Sequence, residues 1–163
     1  MIDIVWFALA IFALAIGFIV FKKLVEGEGN VSNYQRRRYL MDSNAEFGLF
    51  KILVELYGKE YYIFPQVHYS HLLEPKKTDW RESRRLMGKL GHKSADFVLC
   101  DREHVVPQLV IEYDGPTHAR ERTKMRDGFI NKAVGSAGLP ILHLTVGPYT
   151  KESIKKAVDS KLT

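Results

Sequence analysis

The stretch QLVIEYDGPTHARERTKMRDGFINKAVGSAGLPILHLTV, from Gln108 to Val146, decides the fold of this chain. Its two ends, Gln108–Asp114 and Pro140–Val146, are short apolar runs of the kind that form buried strands. The polar segment between them predicts a helix from about Arg122 to Ala137, which ends at Gly138. Because a crossover helix joins parallel strands, the stretch predicts two parallel strands in one sheet.

The apolar pattern outside this stretch predicts further elements of the same domain. They are a helix from about Asn44 to Tyr57 with Ser43 as its N-cap, strands at Tyr61–Val67 and Ala95–Cys100, and a last helix capped by Thr150. Pro65 favours an edge position or a bulge for the first strand. The basic segment Glu74–Gly91 is either a surface helix or a mobile loop. The expected fold class is α/β, with a mixed sheet flanked by helices.

An apolar run near the N-terminus is long enough to cross a bilayer. No charge interrupts the 18 residues from Ile4 to Phe21, and roughly 20 helical residues span a hydrocarbon core of about 30 Å. A cleaved signal peptide and a buried helix are the alternatives. A signal peptide needs a basic start, which this run lacks, and the cleavage-like triplet Ala13–Ala15 lies inside the apolar run. We therefore predict a transmembrane anchor over residues 1–23.

Basic residues after the anchor predict its orientation. Lys22, Lys23 and Arg36–Arg38 follow the apolar run and nothing basic precedes it, so the positive-inside rule places the following domain in the cytoplasm. The single cysteine, Cys100, agrees, because secreted domains of this size more often carry paired cysteines. The expected organisation is an anchor, a basic linker over residues 24–42 and one soluble domain over residues 43–163.

The net positive charge indicates an anionic partner but does not identify it. The chain carries 24 Lys and Arg against 19 Asp and Glu, a net charge of +5. Such a balance suits a nucleic-acid backbone or an anionic membrane leaflet equally well. The Arg36–Arg38 cluster, next to the anchor, favours lipid headgroups over nucleic acid.

Two carboxylates stand in otherwise apolar strands. Asp96 opens the run ADFVLC, and Glu112 lies in QLVIEYD two residues before Asp114. A buried carboxylate costs free energy unless a metal or another cation balances its charge. Because Mg²⁺ is typically held by one or two carboxylates together with water and phosphate oxygens, these strands predict a site for Mg²⁺ or Mn²⁺.

This pattern resembles the PD-(D/E)XK, or restriction-endonuclease-like, nuclease superfamily. In that pattern a helix glutamate, an aspartate at a strand start and Glu-X-Lys on the next strand surround the metal. The matching positions here are Glu46, Asp96 and Glu112. The sequence EYDGPTH, from Glu112 to His118, and the pair Arg126-Asp127 are most similar to the branch that contains very-short-patch-repair-like endonucleases and several uncharacterised bacterial families.

The resemblance covers roughly residues 39–146 and implies a membrane-anchored, metal-dependent endonuclease that acts on DNA, with RNA as the less favoured substrate. It leaves the oligomeric state open, with a homodimer as one possibility because many members pair to cut both strands. It assigns metal binding to Asp96, Glu112 and Asp114, and completes the catalytic set with Glu46 and His118. It assigns nucleic-acid contacts to Lys93, Lys124 and Arg126.

Asp114 departs from the superfamily pattern, which has its catalytic lysine at this position. Two interpretations stay open. Lys93 or Lys124 replaces the lysine, or Asp114 itself binds metal while His118 assists the attacking water or the leaving group.

Plainer explanations exist for the same residues. Glu46 follows Ser43 at the spacing of a capping box, and Asp114 precedes Gly115 as in a turn that ends a strand. Glu112 could form an ion pair with Lys93 or Arg126. His143, on an apolar strand, is expected to be a hydrogen-bonded core histidine. A catalytically inactive nucleic-acid-binding module and a membrane-surface interaction module are accordingly the alternative functions.

Overall fold

The computed structural model describes residues 2–26, 34–41, 43–76, 79–91, 93–115 and 121–162, without the side chains of residues 2, 3, 10, 23–26 and 121–127. Two compact units make up the chain, residues 1–38 and residues 39–163.

The described residues of the first unit contain one helix, α1 (Ile2–Glu26). Its segment Ile4–Lys22 has a mean hydropathy of 2.8, and none of it is buried within the protein. Large apolar side chains such as Trp6, Phe12 and Phe18 are all more than half exposed. This helix is therefore long and apolar enough to cross a membrane, as the sequence predicted.

The second unit is a mixed α/β domain. Its elements in chain order are α2 (Asn44–Tyr57), β1 (Tyr61–His68), a 3₁₀ turn (Tyr69–His71), α3 (Trp80–Leu90), β2 (Ser94–Asp101), β3 (Pro107–Asp114), α4 (Glu121–Ser136), β4 (Ile141–Thr145) and α5 (Lys151–Asp159). The four strands form one open sheet in the order β1-β2-β3-β4. β1 and β3 run antiparallel to β2, whereas β4 runs parallel to β3. The α/β class and the parallel pair are confirmed.

Local signals explain where these elements begin and end. The Ser43 hydroxyl accepts a hydrogen bond from the Glu46 amide at 3.1 Å, so the predicted N-cap of α2 is confirmed. Thr150 and Ser153 cap α5 reciprocally. The Asp79 carboxylate accepts hydrogen bonds from the Arg81 and Glu82 amides, both at 2.9 Å, and starts α3. The helical interpretation of the basic segment therefore holds for residues 80–90.

β1 is an edge strand with an irregular backbone. Pro65 lies within it, and the next residue, Gln66, has a φ of 55° in the left-handed region. A proline cannot donate to a strand ladder, so an edge is where such a strand belongs. The prediction from Pro65 is confirmed.

The sheet separates two apolar cores, because successive residues of a strand point to opposite faces. On one face, Phe97, Leu99, Leu109 and Ile111 pack with α2 and α5. On the other, Val98, Cys100 and Val110 pack with the 3₁₀ turn, α3 and α4. We call this second side the α4 face. Both central strands are thus buried on both sides.

Leu53 provides a test of the first core. Its side chain is fully buried, whereas that of its neighbour Val54 is 43% exposed. We expect Leu53→Ala to lower the free energy of unfolding by about 2 to 5 kcal/mol, because it removes buried methyl groups and leaves a cavity. Val54→Ala, the control, should change it by about 0.5 kcal/mol or less. Guanidinium denaturation followed by circular dichroism measures both. Equal effects would contradict the assigned packing.

Candidate functional site

Four polar side chains form a row across the α4 face. The register between β2 and β3, continued by one residue, places Asp96 opposite Glu112. Glu112 in turn pairs with His143 of β4. Gln66 of β1 completes the row, because its amide lies 3.5 Å from the Asp96 carboxylate. The antiparallel arrangement therefore brings the start of β2 to the end of β3 and assembles residues that are far apart in sequence.

Asp96 is half-buried and held by the backbone of the neighbouring strand. Its Oδ2 atom accepts a hydrogen bond from the Tyr113 amide at 2.7 Å, and its Oδ1 atom faces Gln66 Nε2. Burial raises the pKa of the Asp96 carboxyl, and the nearby charge of Asp114 raises it further. The Tyr113 amide acts in the opposite direction because it stabilises the ionised form.

The pKa of Glu112 is shifted furthest from its ordinary value among the carboxyls of the row. The Glu112 Oε1 atom accepts a hydrogen bond from the hydroxyl of Tyr69, a fully buried residue of the 3₁₀ turn. The Tyr69 amide donates to the Lys93 carbonyl at 3.0 Å, which holds the turn against the start of β2. Burial raises the pKa of Glu112 to about 8, and the charges of Asp96 and Asp114 add to this effect. The hydrogen bond from Tyr69 lowers this pKa but does not offset the burial.

The two carboxyl groups interact directly. Their hydrogen-bonding interaction lowers the pKa of Asp96 and raises that of Glu112. Two adjacent carboxyls in a half-buried site cannot both ionise without a large electrostatic cost. A cation bound between them would remove that cost. The pair can therefore act either as a proton donor or as a cation ligand.

Asp114 and His143 form a second polar contact beside the pair. Asp114 Oδ2 lies 2.8 Å from His143 Nδ1, and His143 Nε2 lies 3.2 Å from Oδ1 of Asn131 on α4. Both side chains are exposed, so the expectation of a core histidine is wrong. The reason is strand alternation: Leu142 and Leu144 fill the first core, and the residue between them points to the opposite face.

The other predicted site residues lie in several places. Glu46 is half-buried in the first turn of α2, whose buried residues belong to the first core; its catalytic role stays a prediction. Lys93 is half-buried just before β2. Lys124 and Arg126 belong to α4, but their side chains, like the whole of His118, lie outside the described residues. Their roles, and an ion pair between Glu112 and Arg126, stay predictions.

The sequence did not point to Tyr69, Gln66 or Asn131. Tyr69 follows β1 in a segment without a strand or helix period. The only signal that could have been used is its hydroxyl group, because a buried tyrosine hydroxyl usually has a hydrogen-bond partner. Gln66 follows Pro65, where a bulge could have suggested a side chain aimed out of the ladder. Asn131 lies on a helix whose contacts depend on the crossover.

The donor atoms of this site are carboxylate oxygens, which suit a divalent cation. Among the described residues, no group of three or more His, Cys, Asp or Glu side chains is arranged to hold a metal. Asp96 and Glu112 nevertheless supply carboxylate oxygens from opposite positions of adjacent strands, and a hydrogen bond orients each of them through one oxygen. One or two carboxylates, supplemented by water and phosphate, are what Mg²⁺ typically uses. The pair fits that cation.

Fold and site together define an α/β domain with paired carboxyls at one end of a mixed sheet. The model of a family described as a protein of unknown function, DUF2726, matches residues 37–162. This match covers most of the chain, and the chain belongs to that family. No curated protein and no solved structure matches the chain.

The pKa of Glu112 predicts a pH-dependent stability. Its folded value of about 8 exceeds the ordinary 4.5, so between these values the folded chain keeps a proton that the unfolded chain has lost. The free energy of unfolding should therefore fall as the pH rises from about 5 to about 8. Each pKa unit corresponds to about 1.4 kcal/mol at most.

Denaturation of the wild type and of Glu112→Gln in EDTA measures this effect. Gln is neutral at every pH and resembles the protonated acid, so the variant should lack this part of the slope. Identical slopes in the two proteins would show that Glu112 ionises normally.

Proposed function

We propose that this protein is a membrane-anchored, metal-dependent endonuclease that hydrolyses phosphodiester bonds of DNA. The observation that carries the proposal is the placement of two half-buried carboxyls, Asp96 and Glu112, opposite each other on adjacent strands. A half-buried carboxyl pair opposes folding when no cation is bound. Such pairs are therefore found mostly where they have a functional role.

The topology supports a restriction-endonuclease-like fold. A helix precedes an antiparallel run of three strands, and a crossover helix then leads to a fourth strand parallel to the third. The carboxyls occupy the start of β2 and the end of β3, which are the positions expected from the superfamily pattern.

Asp96 and Glu112 would hold the metal in the proposed site. When bound, a divalent cation neutralises charge on the scissile phosphate and lowers the pKa of a water. The Tyr69 hydroxyl and the Tyr113 amide orient the two carboxylates, each through one oxygen. Asp114, fixed by His143, would serve as a third carboxylate in place of the usual lysine, and His143 would act as a positioning residue.

Basic side chains on α3 support a nucleic-acid substrate. The Arg81 and Arg84 guanidinium groups each lie 5.9 Å from the centre of the Trp80 ring, and all three residues are exposed. Guanidinium groups of this kind bind phosphate oxygens through charge-assisted hydrogen bonds. DNA is the proposed substrate, with RNA and a DNA-cutting homodimer as variants of the proposal.

A catalytically inactive binding module is the second candidate. The replacement of the usual lysine by Asp114 favours it, because that change removes the cation nearest the reacting phosphate. In this case the basic surface would bind nucleic acid or anionic lipid, and binding would weaken with salt while no cleavage occurs.

Metal-dependent cleavage tests the proposal. We expect the full-length protein in detergent to cut labelled DNA in Mg²⁺ or Mn²⁺ and not in EDTA. Asp96→Asn and Glu112→Gln should each reduce cleavage by about a hundredfold or more, since loss of a ligand exceeds the usual effect of losing its supporting contacts. Glu103→Gln, at an exposed glutamate of the β2–β3 turn, is the matched control.

Single-stranded DNA, duplex DNA and RNA are compared in the same assay. A folded protein that binds DNA in a salt-dependent manner and cuts none of these substrates would favour the inactive module. Cleavage that survives both carboxylate substitutions would place the chemistry elsewhere.

The membrane anchor is tested separately. Leu14 lies near the middle of the apolar segment Ile4–Lys22. We expect Leu14→Arg to impair insertion, because a charge at the centre of a spanning helix costs about 2.5 to 3.5 kcal/mol. Leu14→Phe should insert normally. Carbonate extraction measures retention, and protease added from the cytoplasmic side should digest the α/β domain. Protection from that protease would reverse the proposed orientation.

A further inference from the structure

Two aromatic rings of β1 lie exposed on the α4 face. Tyr62 and Phe64 pair with Cys100 and Val98, whose side chains belong to the core on that face. Both aromatic residues remain 40% exposed. The alternate residues of the strand, Tyr61 and Ile63, pack into the first core instead. The exposed rings are therefore a separate surface of the edge strand.

The geometry of the two rings resembles a stacking surface. Their centroids are 6.2 Å apart, and their planes are inclined by 42°. The Arg102 guanidinium lies 4.5 Å from the centroid of the Tyr62 ring and donates a hydrogen bond to the Gly58 carbonyl. A cation thus lies over one face of the Tyr62 ring, next to Phe64.

The aromatic pair lies close to the two carboxyls along β1. Gln66, the next residue of β1 on this side, contacts Asp96. Because a strand rises about 3.3 Å per residue, Phe64 lies within about 7 Å of Gln66 along the strand. A polymer that followed β1 from Tyr62 would reach Asp96 and Glu112 without leaving this face.

We propose that Tyr62 and Phe64, with Arg102 beside them, stack two unpaired bases of a single-stranded nucleic-acid segment next to the scissile bond. The inference rests on the proposed nuclease function and names its substrate class as single-stranded or frayed ends. Aromatic side chains bind successive bases of single strands in a sequence-tolerant manner.

The ring spacing favours a single strand over a duplex. The 6.2 Å between centroids exceeds the roughly 3.4 Å between neighbouring bases of a duplex strand, so bases on these rings must be unstacked from each other. The faces of duplex bases are covered by their neighbours. A second copy of the chain added to the β1 edge is a poorer occupant, because Pro65 and the left-handed Gln66 interrupt the ladder it would extend.

Binding without cleavage tests the stacking surface. The full-length protein in detergent and EDTA is titrated into labelled oligothymidine and into a blunt hairpin duplex, and fluorescence anisotropy gives both affinities. We expect the double variant Tyr62→Leu, Phe64→Leu to bind oligothymidine about tenfold or more weakly, because leucine keeps apolar volume without an aromatic face. Duplex affinity should not change.

Two controls separate stacking from folding. Phe64→Trp keeps an aromatic face and should retain affinity for oligothymidine. Phe47→Leu alters an aromatic residue of α2 that is 50% exposed, and it should have no effect. Thermal melting shows whether each variant folds. An unfolded double variant leaves the single variants Phe64→Leu and Phe64→Trp to decide, because they differ only in the aromatic face.

Several results would overturn the inference: no binding of oligothymidine by the wild type, an equal loss for oligothymidine and duplex, or unchanged affinity in the double variant. A dimer that dissociates in the double variant while its DNA affinity is unchanged would identify the rings as a contact between copies.

The binding assay in EDTA and the cleavage assay in Mg²⁺ together distinguish this inference from the proposed function. Glu112→Gln should bind oligothymidine like the wild type but fail to cut. Ring-dependent binding without cleavage would keep the stacking surface and reject hydrolysis. Cleavage that requires Glu112 but not the rings would keep the nuclease and reject the stacking surface.

Discussion

The antiparallel register between β2 and β3 is the constraint on which the rest of the domain depends. Both strands are buried on both faces, and their alternation divides the apolar side chains between two cores. The same register sets Asp96 opposite Glu112. A slip of one residue in β2 would turn Phe97 toward α4 and Asp96 toward α2 and α5, and a slip in β3 would do the same to Ile111 and Glu112. Stability and site geometry are therefore specified by one set of strand contacts.

Much of this organisation could be read from the sequence, because apolar periods and capping residues act locally. The bounds of α2, the cap at Ser43 and the edge position of β1 belong to this class. The contacts of Tyr69 and His143 do not, since they depend on how a turn and a crossover helix pack on the sheet. Periodicity predicted β4 as a buried strand with His143 in the core and could not tell that the face carrying His143 would be open.

The domain places an unfavourable pair of carboxyls where the apolar cores end. The same strands that bury Val98, Cys100 and Val110 become polar within a few residues, and the carboxyls lie at that transition. Burial there is sufficient to raise the pKa of both acids, yet the neighbouring Asp114 remains exposed. A rigid apolar scaffold thus supports a site that would destabilise a smaller domain.

The thiol of Cys100, in a central strand of the sheet, can report when the sheet opens. Cys100 is the single cysteine of the chain, it is buried in β2, and burial raises the pKa of its thiol. Thiols react with alkylating reagents as exposed thiolates, so this side chain is inert while the sheet is closed. Its modification rate therefore reports the frequency with which β2 separates from the elements that cover it. Bound ligands that slow this opening would be detected as slower alkylation of the wild-type protein, without any substitution.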